Sequence, residues 1–246
     1  MRKIVVLLLL AVSSWMLADA QNPFEEANKA YAEGRFAEAA AAYENLLQDQ
    51  QNATLYYNAG NAYYKDNKLG KAILNYERAL LLEPNHADAQ YNLEVAKAQI
   101  PVKIDESDFF LSIWFKSIRN RFKEHTWIIL SIVLFILCLA GILTFLLAQE
   151  SWLRKTAFHS AWVALLFCII TGINANSLHK RNTLRNEAII TQGIVTIMSS
   201  PDASGIELFN LYEGHKVTIR ETVGEWSNVK AGKHEGWILS KNLERI

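Results

Sequence analysis

The chain has 246 residues with 25 basic and 25 acidic side chains, and its apolar residues are concentrated in a few segments instead of being spread evenly. That distribution argues for short modules separated by membrane segments. Between Gln21 and Asp105 eight basic side chains face twelve acidic ones, a net of −4 with no Lys/Arg-rich run, which argues against a nucleic-acid partner. Only two cysteines occur, Cys138 and Cys168, both inside apolar stretches and neither with a His at ligand spacing. They read as small apolar fillers, so no disulfide framework, metal centre or cofactor is expected.

Arg2 and Lys3, the apolar stretch Ile4 to Val12 and the Ala18-Asp19-Ala20 pattern predict an export signal over residues 1–20, with Gln21 as the mature N-terminus. An uncleaved anchor is the alternative. No Cys follows the cleavage site, so a lipoprotein anchor is not indicated.

From residue 21 to 100 the pattern is one amphipathic helix after another. Helices are expected over Phe24–Glu33, Phe36–Leu47, Thr54–Lys65, Leu69–Leu82 and Ala87–Gln99, with turns at Gly34-Arg35, Asp49–Asn52, Asn67-Lys68 and Pro84-Asn85. The segment repeats itself: Tyr57-Asn58 returns 34 positions later as Tyr91-Asn92, and Ala39, Tyr43 and Leu46 return 33 positions later as Ala72, Tyr76 and Ala79. A period in that range marks a helical solenoid, an architecture that presents a concave binding surface. The unit from Ala53 to Asn85 carries Tyr56, Ala59-Gly60, Tyr63, Ala72, Tyr76, Ala79 and Pro84 in the order and spacing of a tetratricopeptide repeat. Its small residues let paired helices approach, and its tyrosines fill the space between them. The first unit is looser, and the third, from Ala87, has the single helix of a cap.

Residues 101–125 mix Phe110, Ile113, Trp114 and Ile118 with Lys116, Arg119 and Arg121, which suits an interfacial helix or simply a basic flank. Residues 126–148 hold no charge over 23 positions, long enough at about 1.5 Å per residue to cross roughly 30 Å of hydrocarbon. A second, weaker span is expected over residues 156–176. Together they predict a hairpin joined by Gln149–Lys155.

After Lys180, Arg181 and Arg185 the texture becomes β, and residues 186–246 form the last module. Strands are expected at Ala188–Thr191, Gly193–Met198, Lys216–Glu221, Ser227–Lys230 and Gly236–Leu239, separated by the turns Ser200-Pro201-Asp202, Glu213-Gly214 and Ala231-Gly232. The succession Leu211-Tyr212-Glu213-Gly214, Val217-Thr218-Ile219, Trp226, Val229 and Gly236-Trp237-Ile238 resembles a bacterial SH3 domain. The predicted fold is therefore multidomain: an all-α tetratricopeptide solenoid, a two-helix transmembrane hairpin and an all-β SH3-like barrel.

That order of modules, with Ala89-Gln90-Tyr91-Asn92-Leu93-Glu94 in the cap and Glu207 to Gly214 in the barrel, resembles the BatE-type proteins of the bacterial aerotolerance (Bat) operon. The resemblance implies an envelope protein linked to stress tolerance, working beside membrane-anchored von Willebrand factor A-type Bat proteins.

No nucleophile, base and metal set is expected outside the lipid, since both Cys lie in spans and the His residues are scattered; a non-enzymatic binder is the expectation. In the solenoid the first helix of each pair should line the groove, which places Asn28 and Tyr31, then Tyr57, Asn58, Asn61, Tyr64 and Lys65, then Tyr91 and Asn92 toward a bound protein tail or peptide. Asn amides offer a donor and an acceptor to an extended main chain, unless they are consumed within the solenoid. In the barrel, Tyr212, Trp226 and Trp237 offer an aromatic surface for cell-wall peptide or a Pro-rich segment, although Trp237 also suits a barrel core.

Export by the signal would place both soluble modules in the periplasm, on a two-pass bacterial inner-membrane protein. The basic residues flanking the hairpin (Lys116, Arg119, Arg121, Lys123, Lys180, Arg181, Arg185) outnumber Arg154 and Lys155 in its turn and point the other way. The leading expectation is an envelope scaffold binding other envelope proteins. The alternatives are a membrane regulatory sensor with cytoplasmic modules and an accessory subunit that binds peptidoglycan.

Overall fold

The computed structural model of the protein describes residues 23–102, 104 and 110–246. The expected signal, residues 1–20, and the acidic residues Asp105, Glu106 and Asp108 lie outside them.

Five helices open the described chain: α1 (Pro23–Ala32), α2 (Phe36–Asp49), α3 (Ala53–Lys65), α4 (Leu69–Leu82) and α5 (Ala87–Lys97). They stack as antiparallel neighbours, each against the next. The repeat is visible atom by atom. The turn after α1 places Gly34 at φ 79° and the turn after α3 places Asn67 at φ 60°, the left-handed conformation that Gly and Asn tolerate. In both turns the next N–H reaches back five residues, Arg35 to the Ala30 carbonyl and Lys68 to that of Tyr63, each at 2.9 Å. Ala39, Ala59, Ala72 and Ala79 are completely buried where helices cross, and a Cβ on Gly60 would stand 2.6 Å from the Tyr76 ring. Asn52 caps α3 by accepting the Leu55 N–H at 2.8 Å, which makes the expected loop residue the start of a helix.

Helix α6 (Phe110–Asn120) follows, then two long helices, α7 (Glu124–Leu147) and α8 (Ser151–Leu184). At 24 and 34 residues both are long and apolar enough to cross a membrane, and most of their apolar side chains, Ile129 and Leu143 among them, are exposed. They pack closely on each other along small residues: a Cβ on Gly141 would meet the Ala161 Cβ at 3.0 Å, and Ala157, Ala161 and Ala175 are buried. Cys138 is buried and Cys168 half-buried, its thiol donating to the Ser131 carbonyl at 3.4 Å. The connection between the two helices is shorter than expected. Nothing in Ser151–Lys155 breaks a helix, Arg154 N–H bonds the Glu150 carbonyl and Thr156 bonds those of Trp152 and Leu153, so α8 starts ahead of its predicted span.

The remainder is one seven-stranded antiparallel sheet: β1 (Glu187–Ile190), β2 (Ile194–Met198), β3 (Glu207–Tyr212), β4 (Lys216–Val223), β5 (Trp226–Ala231), β6 (His234–Leu239) and β7 (Leu243–Arg245). The strand order is β3-β2-β6-β5-β4-β1-β7, so the sheet is open, with β3 and β7 at its ends. Ala188, Ile190, Ile197, Leu211, Val217, Val229 and Ile238 form its core. The edge strands β3 and β7 were not among the expected strands. In β3 only Leu211 is fully buried, so the alternation that announces a half-buried strand is nearly absent there.

Solenoid and sheet are docked. Helix α4 lies against β1, and Ile189 leaves the sheet core to join the buried cluster of the solenoid, with Ile246 packed beside it. Gly70 and Gly214 make that approach possible. A Cβ on Gly70 would stand 2.5 Å from the Ile190 carbonyl oxygen and 3.0 Å from Thr191 Cα, while Gly214, at φ 89°, lies against the side chains of Ile73 and Ile100.

Candidate functional site

The concave side of the solenoid holds a cavity of about 270 Å³ lined by Tyr31 from α1, Tyr57, Asn61, Tyr64 and Lys65 from α3, Tyr76 from α4, and Asn92 and Val95 from α5. Helical spacing explains the convergence: Asn61, Tyr64 and Lys65 follow Tyr57 by four, seven and eight residues and so share one face. Equivalent faces of α1 and α5 flank it.

An internal ladder holds the walls. The Tyr43 hydroxyl donates to Asn28 Oδ1 at 2.6 Å, and one repeat later the Tyr76 hydroxyl donates to Asn61 Oδ1 at 2.8 Å. Each bond ties the first helix of a repeat to its second. Asn92 Nδ2 donates to the same Asn61 oxygen at 2.8 Å and reaches the Tyr57 hydroxyl at 3.4 Å, and Gln99 donates to Tyr64. Burial raises the Tyr31, Tyr43 and Tyr76 phenols above their ordinary value, so all three stay neutral hydrogen-bonding groups across the physiological range.

Six of the nine expected groove residues therefore meet in one cavity: Tyr31, Tyr57, Asn61, Tyr64, Lys65 and Asn92. The other three do not. Asn28 is held by Tyr43, Asn58 is half-buried outside the cavity, and Tyr91 points away with 71% of its surface exposed. Of the asparagines, Asn28, Asn61 and Asn92 bond within the solenoid, the internal use that the sequence left open. Tyr76 and Val95 were missed as lining residues. Tyr76 reads from sequence as an interhelical filler, and it is one, since only 1% of it is exposed; its edge nevertheless reaches the cavity. Among the described residues Lys65 has no ion pair, so the cavity combines phenol, amide and one cation. That arrangement suits hydrogen bonding to a main chain and attraction of a negative group.

On the sheet, Trp226 and Trp237 are half-buried diagonal neighbours: Trp226 pairs with Leu239, and Trp237 with Asn228 on one side and Met198 on the other. Both lie on the face opposite Val229 and Ile238, so Trp237 is not a residue of the sheet core. Tyr212 stands apart, at the far end of β2 beside Ile194, with its ring edge-on to His215. The three aromatics do not form one cluster.

Several polar contacts fix the solenoid against the sheet, among them the pair of Lys71 with Glu244 at 3.2 Å. Lys97, Glu77, Lys216 and Glu187 form an alternating chain with N···O separations of 2.8, 3.1 and 2.9 Å. Burial alone would raise the Glu77 carboxyl, but the ammonium groups of Lys216 and Lys97 outweigh it and hold the group at about 2. Nearby, the Gly70 N–H donates to Glu213 Oε1 at 2.7 Å. Helix α4 has no side-chain cap of its own at Lys68, so a carboxylate from the sheet takes that role. His215 completes the seam: its Nδ1 accepts the Tyr212 N–H and its Nε2–H donates to the Val102 carbonyl at 2.6 Å, while burial lowers its pKa. Nothing in the sequence marked these residues as a seam: Glu213 read only as a turn residue and Lys216 as the start of a strand.

Among the described residues no three His, Cys, Asp or Glu side chains converge to hold a metal ion. No curated protein matches the chain. The family model of the tetratricopeptide repeat matches residues 60–99, the stretch that contributes Asn61, Tyr64, Lys65, Tyr76, Asn92 and Val95 to the cavity, and so identifies this part of the chain as a protein-interaction repeat.

Proposed function

We propose that the protein is a non-enzymatic, membrane-anchored scaffold that binds an extended protein segment in the solenoid cavity and presents the docked sheet, read as SH3-like, as a second binding surface. The observation that carries this reading is the cavity itself, a tyrosine and amide-lined hollow with one unpaired lysine inside a matched protein-interaction repeat. Helices α7 and α8 supply the anchor, since their exposed apolar surface is what a bilayer covers. The order of modules supports a place in the bacterial envelope beside von Willebrand factor A-type Bat proteins. Peptidoglycan binding through Trp226 and Trp237 is the second reading, favoured by their shared face.

A photocrosslinking residue at Val95 in living cells is expected to trap a protein partner. A synthetic peptide spanning the crosslinked segment should then bind the purified full chain, with Tyr57→Ala and Lys65→Ala each weakening it about tenfold. Unchanged affinity in both variants would remove the cavity from the interaction.

Docking also constrains topology. The Gly70–Glu213 bond and the Glu77–Lys216 pair join the modules on either side of the two long helices, which supports a reading in which both crossings return the chain and solenoid and sheet share one side of the membrane. With Cys138 and Cys168 replaced, single cysteines at Gln51 and Ser204 should respond alike to a membrane-impermeant thiol reagent on intact cells. Labelling of both supports the periplasmic reading; protection of both until lysis supports the cytoplasmic sensor. A split result would contradict the docking.

A further inference from the structure

At the open end of the hairpin, where α6, the last turns of α8 and the start of the sheet meet, lies a second cavity of about 270 Å³ lined by Arg119, Lys180, Arg181, Leu184, Glu187 and other groups. Its charges are unbalanced. Among the described residues the Arg119 side chain bonds only the neutral Ser177 hydroxyl, at 2.9 Å, and that of Arg181 only the Asn120 amide oxygen, at 3.1 Å. The Nε of each guanidinium is buried with no hydrogen-bond partner among the described residues. The nearby carboxylates are already engaged elsewhere: Glu187 with Lys216 at 2.9 Å, and Glu124 with His179 at 2.8 Å and Asn182 at 3.0 Å. Burial, and then the charge of Arg181, push the Arg119 guanidinium below its ordinary value against the smaller opposing pull of Glu187. Among the described residues the cavity sets three cations, Arg119, Lys180 and Arg181, against the single carboxylate of Glu187, and neither guanidinium has a direct ion pair, the arrangement that a planar, bidentate phosphate contact relieves.

The position says where such a phosphate comes from. Ile118 of α6 packs on Trp127 and Leu178 of the hairpin, and the Trp127 indole N–H donates to the Arg119 carbonyl at 3.1 Å, which fixes Arg119 at the level where both long helices leave their apolar run. Trp114 and Phe115 of α6 are half exposed alongside. Aromatic and basic residues at this level face the headgroup layer.

We infer that Arg119 and Arg181, assisted by Lys180, form a binding site for the phosphate of an anionic phospholipid at the open end of the helical hairpin. The site rests on the membrane-anchored reading, and it seats the lipid between the hairpin and the docked modules.

The test uses the purified full chain in mild detergent, following its melting temperature as phosphatidylglycerol, phosphatidylcholine or inorganic phosphate is added. Phosphatidylglycerol should raise it saturably, at concentrations at least about tenfold below those of phosphatidylcholine. Arg119→Gln with Arg181→Gln should abolish that preference, Lys180→Gln should weaken it, and Lys155→Gln at the other end of the hairpin should leave it intact. Should the double variant fail to fold, Arg119→Lys with Arg181→Lys keeps the charge but loses the fork, and its preference should fall without vanishing. Equal response to the two lipids, or a preference surviving in the double Gln variant, overturns the site. A saturable shift with inorganic phosphate alone, lost in the same variant, overturns the lipid assignment. Alkaline extraction of membranes separates the two levels: release of the chain defeats the anchored reading, while a retained chain without lipid preference defeats only this site.

Discussion

Glu77→Ala will lower the unfolding free energy of the full chain by about 2 kcal/mol, because it leaves Lys97 without its partner and Lys216 with Glu187 alone in a partly buried seam. Only 14% of the Glu77 side chain is exposed, against 36% of Lys97 and 33% of Lys216, so water screens part of the repulsion that remains. Chemical denaturation in detergent measures the change, and a loss below about 1 kcal/mol would mean the alternating chain is no more than an ordinary surface pair. The same carboxylate sets an acid limit. Its folded value of about 2 lies below the ordinary 4.5, so it contributes stability that is fully present above pH 4.5 and is lost as the pH falls from there toward 2. In Glu77→Ala that part of the acid transition should disappear. Lys216 behaves in the opposite sense: Glu77 and Glu187 raise it despite its burial, so its contribution is complete below its ordinary 10.5 and declines as the pH rises past that value.

Gly70→Ala should be harmless to the helix and harmful to the protein. Within α4 alone the change improves helix propensity by as much as about 1 kcal/mol. In the docked chain the new methyl would meet the Ile190 carbonyl at 2.5 Å, and since the obstacle is backbone it cannot rotate away. Overpacking of this kind costs about 1–3 kcal/mol and here also displaces the Glu213 cap. The expected result is a full chain that melts several degrees lower with its sheet undocked, seen as faster proteolysis between the modules. Gly60→Ala offers the contrast, for its clash is with the Tyr76 ring inside the solenoid and should lower stability without undocking the sheet. Unchanged melting of the Gly70 variant would mean that α4 and β1 separate readily.

What could be read in advance was what repeats. Helices α2, α3, α4 and α5 begin at or within one residue of their expected starts, because apolar spacing, Gly34, Asn67 and Pro84 are local signals. The cavity was legible to the same extent: Tyr31 and Tyr64, like Asn28 and Asn61, are 33 positions apart, and the first helix of a pair lines the hollow. Which amides remain for a ligand was not legible, since the bonds from Tyr43 and Tyr76 depend on helix packing. The seam was invisible for a stronger reason. Gly70 and Glu213 are 143 positions apart and Glu77 and Lys216 are 139 apart, with no periodicity to connect them. Strand β3 escaped because an edge strand with one buried residue has no alternation to detect, and Trp237 looked like core because composition cannot tell one face of a sheet from the other.

Ile189, the sheet residue that completes the solenoid core, has a consequence for how the protein is made. The solenoid is synthesised first, yet the strand that covers the outer side of α4 follows only after both long helices. At about 5–20 residues per second, the surface around Ile73 and Ile100 waits on the order of ten seconds for its cover. During that interval the nascent chain exposes an adhesive face that its own tail must reach before a neighbour does, so a chain truncated after α8 would be prone to associate through the wrong side of its binding module.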